Sequence, residues 1–179
     1  MILNGVIKAL HSGDWEAEFD LSRNGLPNSF FAVLLYIPIG FVVAQAAVKF
    51  NDVTGHVPYN SIAIILVLIA LTFPLIAYLL CMVFDKQDRF RPWVIVRNWA
   101  LLFALLLIAA VFGLYLIGLL PFGIAFILGQ SVYIGTLALD VRIAMRVAEF
   151  DWIGAVFAGA LISITSMMVL MLGLQQAVV

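Results

Sequence analysis

A short polar stripe is the part of this apolar chain best suited to chemistry. Tyr133, Thr136 and Asp140 follow one another at intervals of three and four residues, so a helix would place them on one face, with Gln130 beside them. A carboxylate, a phenol, a hydroxyl and an amide along one helix face predict a half-channel or a contact for a polar substrate. The alternative is a helix end at which Asp140 pairs with a nearby base, for which Arg97 is one candidate.

The other reactive residue types are too few and too scattered for a catalytic or metal site. The two histidines, His11 and His56, lie outside the apolar stretches and have no Cys or carboxylate partners at metal-binding or triad spacing. The single cysteine, Cys81, excludes an intrachain disulfide. A net charge of −1 offers no basic surface for nucleic acid. We therefore expect no enzymatic activity, no cofactor, no metal and no nucleic-acid partner.

The apolar stretches that carry these residues are long enough to cross a bilayer. Hydrophobic residues make up 65% of the 179 residues, and charged residues make up 11%. A spanning helix needs roughly 20 apolar residues. The uncharged run from 98 to 139 would form about 63 Å of helix, which is two crossings, and Gly118, Pro121 and Gly123 mark the break between them. The sequence predicts an all-α bundle of five transmembrane helices at about 29–49, 61–84, 94–118, 121–143 and 152–174.

Basic residues fall on one side of these predicted spans. Residues 29–179 form the predicted membrane domain, and residues 1–28 form an arm that precedes it. With five spans, eight of the nine Lys and Arg residues lie on the side of the N-terminus, and only Lys49 lies on the other. Because basic residues stay in the cytoplasm, we expect a cytoplasmic N-terminus and a C-terminus outside.

Small residues recur on two of the spans. Gly40 and Ala44 share a stripe of the first span, while Ala155, Gly159 and Ser163 follow at four-residue spacing in the fifth. Lipid provides no hydrophobic force between helices, so residues that let backbones approach closely favour association. Both stripes predict helix-packing faces, within one chain or between chains.

Single residues mark bends, ends and interfaces of the spans. Pro38 and Pro74 lie within spans and predict kinks, because each removes a backbone hydrogen bond. Asp151 precedes the fifth span and predicts an N-cap. Trp93 and Trp152 stand at the starts of the third and fifth spans, where tryptophan favours the headgroup layer.

The arm before the first span combines an apolar face with acidic residues. Apolar residues recur at helical spacing from Ile2 to Leu10, which predicts a short amphipathic helix in the membrane interface, ended by Ser12 and Gly13. Acidic and apolar residues then alternate from 14 to 21. A helix would place Trp15 and Phe19 on one face, whereas an extended segment would align all four apolar residues, and both remain open.

The acids of the arm and the basic loop after the second span lie on the same predicted side. They could form a latch that holds the arm across the helix bundle. The alternative is a solvated acidic tether, since exposed ion pairs contribute only ~0–1 kcal/mol. The hypothetical latch comprises Asp14, Glu16, Glu18, Asp20, Lys86, Arg89, Arg91 and Arg97.

Five closely spaced spans with short loops resemble the Yip (Ypt-interacting protein) superfamily and its bacterial relatives. Asp20-Leu21 followed by Gly25-Leu26-Pro27 is similar to the Asp-Leu-x-Gly-Pro stretch of that family. Here three residues separate Leu21 from Gly25, and a leucine separates Gly25 from Pro27. The resemblance implies a membrane-organising or partner-binding role without catalysis.

These observations lead to two functional expectations. The first is an accessory, scaffold or assembly subunit of a membrane complex in the bacterial inner membrane. Its partners would be the lipid bilayer and other integral membrane proteins, or further copies of itself. The alternative is a small oligomeric transporter or channel that uses the polar stripe of the fourth span.

Overall fold

The computed structural model describes residues 2–11, 13–52 and 57–177, with side chains up to residue 173. Within these ranges the chain forms helices joined by short connections, and no strand is present. The predictions made for Ser12 and His56 lie outside the described residues. The all-α prediction is confirmed, and five helical segments are long and apolar enough to cross a membrane: Gly25–Phe50, Tyr59–Val83, Gln87–Leu116, Phe122–Arg146 and Trp152–Gly173.

Seven α-helices and two short 3-10 turns make up the described chain. The 3-10 turns are Glu16–Glu18 and Gln87–Arg89. The helices are α1 (Ile2–Leu10), α2 (Gly25–Leu34), α3 (Tyr36–Phe50), α4 (Tyr59–Val83), α5 (Phe90–Leu116), α6 (Phe122–Arg146) and α7 (Trp152–Ala177).

The first span consists of two helices, α2 and α3, separated at Leu35. Pro38 has no N–H, and its ring clashes with the carbonyl of Leu34, four residues earlier. The N–H of Leu35 instead bonds to the carbonyls of Ala32 and Val33, which ends α2. The predicted kink is therefore a break in the helix, whereas α4 continues through Pro74.

The start of the first span differs from the expected boundary. Helix α2 begins at Gly25, four residues before the predicted start at 29. Pro27 in the first turn needs no hydrogen-bond partner for a backbone N–H, so it suits a helix start. The hydroxyl of Ser29 donates to the carbonyl of Leu26 at 2.7 Å. Residues 25–28 thus belong to the bundle, although the sequence placed them in the arm.

The predicted signals at the later helix ends are confirmed. Helix α5 ends at Leu116 and α6 begins after Pro121, with Gly118 between them at φ +81°. Glycine adopts this left-handed backbone without a Cβ clash. At the start of α7, the carboxylate of Asp151 accepts a hydrogen bond from the N–H of Gly154 at 2.9 Å. Asp151 is therefore an N-cap residue.

Helix α5 occupies the centre of the bundle and packs against α2, α3, α4 and α6, while α7 packs between α4 and α6. The end of the bundle at which α5 and α7 begin, and α4 and α6 end, is called the basic end below. The largest cluster of buried side chains lies towards this end, around Phe73, Trp93, Ile143 and Phe150. Helix α1 rests on α5 and α6 and buries Val6 and Ala9 in the same cluster.

Candidate functional site

A buried ion pair joins α5 to α6. The guanidinium of Arg97 donates two hydrogen bonds to Asp140, from Nε to Oδ1 at 2.7 Å and from Nη2 to Oδ2 at 3.1 Å. The side chains are only 8% and 6% exposed. The ring of Phe73 lies 4.0 Å from the guanidinium carbon, close enough for a cation–π contact. The structure therefore supports the second interpretation of Asp140, in which its carboxylate pairs with Arg97.

A chain of neutral hydrogen bonds lies beside this pair and joins the first span to α5. The amide of Asn98 donates to the hydroxyl of Ser29 at 3.0 Å, and the hydroxyl of Tyr36 donates to the backbone carbonyl of Asn98 at 2.8 Å. Both Asn98 and Ser29 are fully buried or nearly so. No role was predicted for these residues, although an asparagine within an apolar span indicates that its amide needs a hydrogen-bond partner.

Trp93 lies in the core and not in the headgroup layer that its position predicted. Its side chain is fully buried, with the rings of Phe73 and Phe150 at centroid distances of 5.6 Å and 5.3 Å. Its indole N–H has no hydrogen-bond partner among the described residues. Edge-to-face aromatic contacts are favourable beyond their buried area, and here they hold the starts of α5 and α7 together. Trp152, in contrast, is 63% exposed.

The predicted polar stripe of α6 is divided by the fold. Asp140 is buried against Arg97, whereas Tyr133 is 45% exposed and Gln130 is also exposed. The hydroxyl of Thr136 donates to the carbonyl of Tyr133 within the same helix at 2.6 Å. Gln130 and Tyr133 therefore face outward from this chain, and Asp140 is the residue of the stripe that is buried in the interior.

The residues of the hypothetical latch have several different partners. Nη1 of Arg89 lies 3.6 Å from Oε1 of Glu16 in the arm, and Nη2 of Arg89 lies 2.5 Å from Oε1 of Glu149, which follows α6. The Arg91 guanidinium donates to the carbonyl of Leu21 at 3.4 Å. The contacts with Glu16 and Leu21 join the arm to the loop between α4 and α5 and to the start of α5, whereas the contact with Glu149 joins that loop to the segment after α6.

The other latch residues do not join the arm to this loop. Lys8 of α1 pairs with Glu18 at 2.5 Å, so this acid is engaged within the arm. Arg97 contacts Asp140 and none of the arm's acids. In the part of the chain that the structure describes, the side chains of Asp14 and Lys86 form no ion pair.

Local hydrogen bonds shift the acidity of two arm carboxyls. The hydrogen bond from Lys8 lowers the pKa of Glu18 to about 2, from an ordinary value of 4.5. Hydrogen bonds from the side chain and backbone of Ser22 hold the pKa of Asp20 below its ordinary value. Trp15 and Phe19 are both buried, whereas Ala17, in the 3-10 turn between them, is exposed, so the extended alternative, which aligns all four apolar residues, is wrong.

The small residues of the two stripes lie between helices of this chain. A methyl group at Gly40 would collide with Leu66 of α4. A Cβ at Gly159 would lie 2.7 Å from Val141 of α6. Ala155 is fully buried, while Ala44 and Ser163 are half-buried. The structure uses these stripes for packing within the chain.

The residue types that bind metal ions are dispersed in the part of the chain that the structure describes. Over the ranges 2–11, 13–52 and 57–177, no group of three or more His, Cys, Asp or Glu residues is placed to hold an ion. Cys81 is buried in the main core cluster. The polar groups of interest are the α5–α6 ion pair, its neutral neighbours and the outward face of α6.

The architecture is that of an all-helical protein with five helices suited to crossing a membrane. Comparisons with protein families, with curated proteins and with solved structures find no match to this chain.

Proposed function

We propose that this chain is a non-enzymatic integral membrane protein of the bacterial inner membrane that acts as an accessory, scaffold or assembly subunit of a membrane complex. Its N-terminus lies in the cytoplasm in this proposal, because the basic end carries eight of the nine Lys and Arg residues. Helix α1 lies in the cytoplasmic interface. A neighbouring helix packs on the outward face of α6.

The observation that carries this proposal is the environment of Gln130. Its side chain is exposed, and its amide has no hydrogen-bond partner among the described residues. Gln130 lies eight residues into α6, about 12 Å along a helix of about 37 Å, so it falls within a hydrocarbon layer about 30 Å thick. An amide in hydrocarbon without a partner costs roughly 4–8 kcal/mol. A polar group of a neighbouring helix would remove much of this cost.

The shape of the same helix face supports a neighbour. Only 11% of the most apolar stretch of α6 is buried, the lowest share among the five spans. A Cβ at Gly123 would meet no atom within 4 Å, so another backbone has room to approach there. Ile127, on the same face of the helix, is 65% exposed. The face thus combines a glycine, a polar amide and apolar surface, which is typical of helix association in membranes.

Substitution of Gln130 tests the proposal directly. The full-length chain, extracted in a mild detergent and affinity-purified, should retain other membrane polypeptides that mass spectrometry identifies. Gln130→Leu should release most of them, because it removes the interhelical hydrogen bond. Ser131→Ala is the matched control, since the Ser131 hydroxyl already donates to the carbonyl of Ile127 at 2.8 Å. Equal recovery of partners from both variants would contradict the assignment of this face.

The second candidate function is a small oligomeric transporter or channel. It is favoured by the outward position of Gln130 and Tyr133, because a polar pathway along these side chains would lie between copies of the chain. This candidate predicts a discrete homo-oligomer without other polypeptides, solute flux in liposomes, and loss of that flux in Gln130→Leu, which leaves the buried Arg97–Asp140 pair intact. Recovery of the chain alone together with such a flux would replace the accessory role.

A further inference from the structure

An apolar groove of about 310 Å³ runs beneath α1, between α5 and α6. Its walls include Leu3 and Ile7 of α1, Phe103 and Leu107 of α5, and Gly135 and Leu139 of α6. Leu3 and Ile7 are each 49% exposed, and Leu107 is 59% exposed. The groove is therefore open to the surroundings of the bundle and not sealed within it.

The groove extends from α1 into the depth of the bundle. Leu107 lies 17 residues after Phe90, which is about 25 Å along α5. The hydroxyl of Thr136, which also lines the groove, is engaged with the carbonyl of Tyr133. The groove thus presents apolar groups over the length at which lipid chains surround a membrane helix.

Apolar lining alone does not select a lipid, because the groove and the lipid chains around it are equally apolar. Selection must come from the headgroup and from the charges near it. On α6, Gly135 and Leu139 of the groove continue along one helix stripe to Arg142 and Arg146, towards the basic end. This stripe therefore continues past the groove to two arginines at the basic end, where the headgroup of a lipid in the groove would lie.

Both arginines are exposed, and neither forms an ion pair with a described acidic residue. Among the described residues, neither Arg142 nor Arg146 has a carboxylate oxygen within 4.0 Å. The carboxylates of neighbouring segments have other partners. Asp140 is bound to Arg97, Glu149 to Arg89 and Glu18 to Lys8. This end of α6 carries a local excess of positive charge, which attracts a phosphate anion.

We propose that the groove and these two arginines form a binding site for one anionic phospholipid. One acyl chain fills the groove beneath α1, and the phosphate of the headgroup accepts hydrogen bonds from Arg142 and Arg146. The site is independent of the accessory role, since it uses the α1-facing side of α6 and not the face that carries Gln130. It assigns α1 the task of covering a bound lipid.

The charged half of the site is tested by native mass spectrometry of the full-length protein in detergent. The probe is phosphatidylglycerol, with phosphatidylcholine as the zwitterionic comparison. The wild-type protein should retain one phosphatidylglycerol in preference to phosphatidylcholine. Arg142→Gln and Arg146→Gln should each weaken this binding about fivefold. Arg23→Gln is the control, because Arg23 is also an exposed arginine near the basic end but lies before α2.

The apolar half is tested by filling the groove. A Cβ at Gly135 would meet no atom within 4 Å, so Gly135→Leu fits without a clash and occupies the space of the acyl chain. It should abolish retention of the single lipid while the melting temperature stays unchanged. Gly113→Leu is the control: its position in α5 is equally open, but it does not line the groove.

Each remaining outcome overturns the proposal. If Gly135→Leu retains the lipid, the arginines attract anionic lipid as a surface charge and the groove is not a site. If neither arginine substitution changes the preference for phosphatidylglycerol, the charges do not bind the headgroup. If Gly135→Leu instead converts a dimer into a monomer, the groove holds a second copy of the chain.

Discussion

At the scale of single residues, two kinds of ion pair differ in what they contribute. Arg97 and Asp140 are shielded from solvent and joined by two hydrogen bonds. Loss of one partner of such a pair leaves a buried charge and costs roughly 3–5 kcal/mol. The contact of Arg89 with Glu16 is exposed and contributes at most ~1 kcal/mol. The buried pair, and not the arm, therefore dominates the electrostatic part of helix packing.

The buried pair leads to a double-mutant prediction. Asp140→Asn should lower the free energy of unfolding in detergent by about 3–5 kcal/mol, because Arg97 stays buried without its counter-charge. Arg97→Gln combined with Asp140→Asn should lose clearly less than the sum of the single effects. Arg23→Gln, which removes an exposed arginine before α2, should change stability by less than ~0.5 kcal/mol. Additive single effects would show that the two side chains are not coupled.

The Glu18–Lys8 contact predicts that the stability of the arm depends on pH. A carboxyl whose folded pKa is about 2 and whose ordinary value is 4.5 contributes its full stabilisation above pH 4.5. That contribution is lost as the pH falls from 4.5 towards 2. Pepsin, which is active in this range, should therefore cleave the arm increasingly below pH 4.5. In Glu18→Gln, the rate at which pepsin cleaves the arm should not show this additional rise below pH 4.5. If the wild type and Glu18→Gln have identical pH profiles of cleavage, the contact is contradicted.

At the scale of helices, α6 packs differently in its two halves. Its half towards the basic end is close to α7, where a Cβ at Gly159 would lie 2.7 Å from Val141. Its other half contacts α5 through Ala125 and Gly129 and leaves Ile127 exposed. Both halves of α6 therefore pack within the chain, and the outward side around Ile127, in the half away from the basic end, is available to a neighbour.

Glycine substitutions distinguish these two environments. Gly159→Leu should destabilise the bundle by about 1–3 kcal/mol, because the new side chain forces α6 and α7 apart. Gly113→Leu in α5 should be neutral, since a Cβ there meets nothing within 4 Å. Melting temperatures of the two variants in the same detergent provide the comparison. A neutral Gly159→Leu would mean that α7 is not closely packed on α6.

At the scale of the whole molecule, charge is distributed unequally between the two ends. Lys49 is the one basic residue at the end opposite the basic end, and its ammonium group donates to the carbonyl of Leu116 at 2.8 Å. This hydrogen bond covers one of the free carbonyls at the end of α5. At the basic end, Arg23, Lys86, Arg142 and Arg146 have no carboxylate partner among the described residues. The asymmetry favours one orientation in the membrane.

This asymmetry predicts the location of the two termini. Alkaline phosphatase, which is active only outside the cytoplasm, should be active when fused after Val179. The same enzyme inserted in the loop between α4 and α5, next to Lys86, should be inactive. The reason is that loops rich in Lys and Arg are generally retained on the cytoplasmic side. Activity of the loop fusion alone would reverse the orientation.

The sequence by itself determined the helices and most of their ends. Long uncharged runs predicted five spans, Gly118 and Pro121 predicted the turn between α5 and α6, and Asp151 predicted the start of α7. These features are local: they depend on hydropathy, on backbone freedom at glycine and proline, and on hydrogen bonds between near neighbours. The four-residue error at Gly25 arose because the boundary was placed by hydropathy, while the turn around Pro27 also suits a helix.

The tertiary structure alone decided which polar groups meet and which face outward. Arg97 is 43 residues from Asp140, and Asn98 is 69 residues from Ser29. The polar stripe of α6 predicted one distinct face, but the apolar residues around it do not indicate which side is buried, since lipid and protein neighbours both accept apolar side chains. The rotation of α6 about its axis therefore had to come from packing against α5 and α7. That rotation buries Asp140, exposes Gln130 and places Gly135 in the groove.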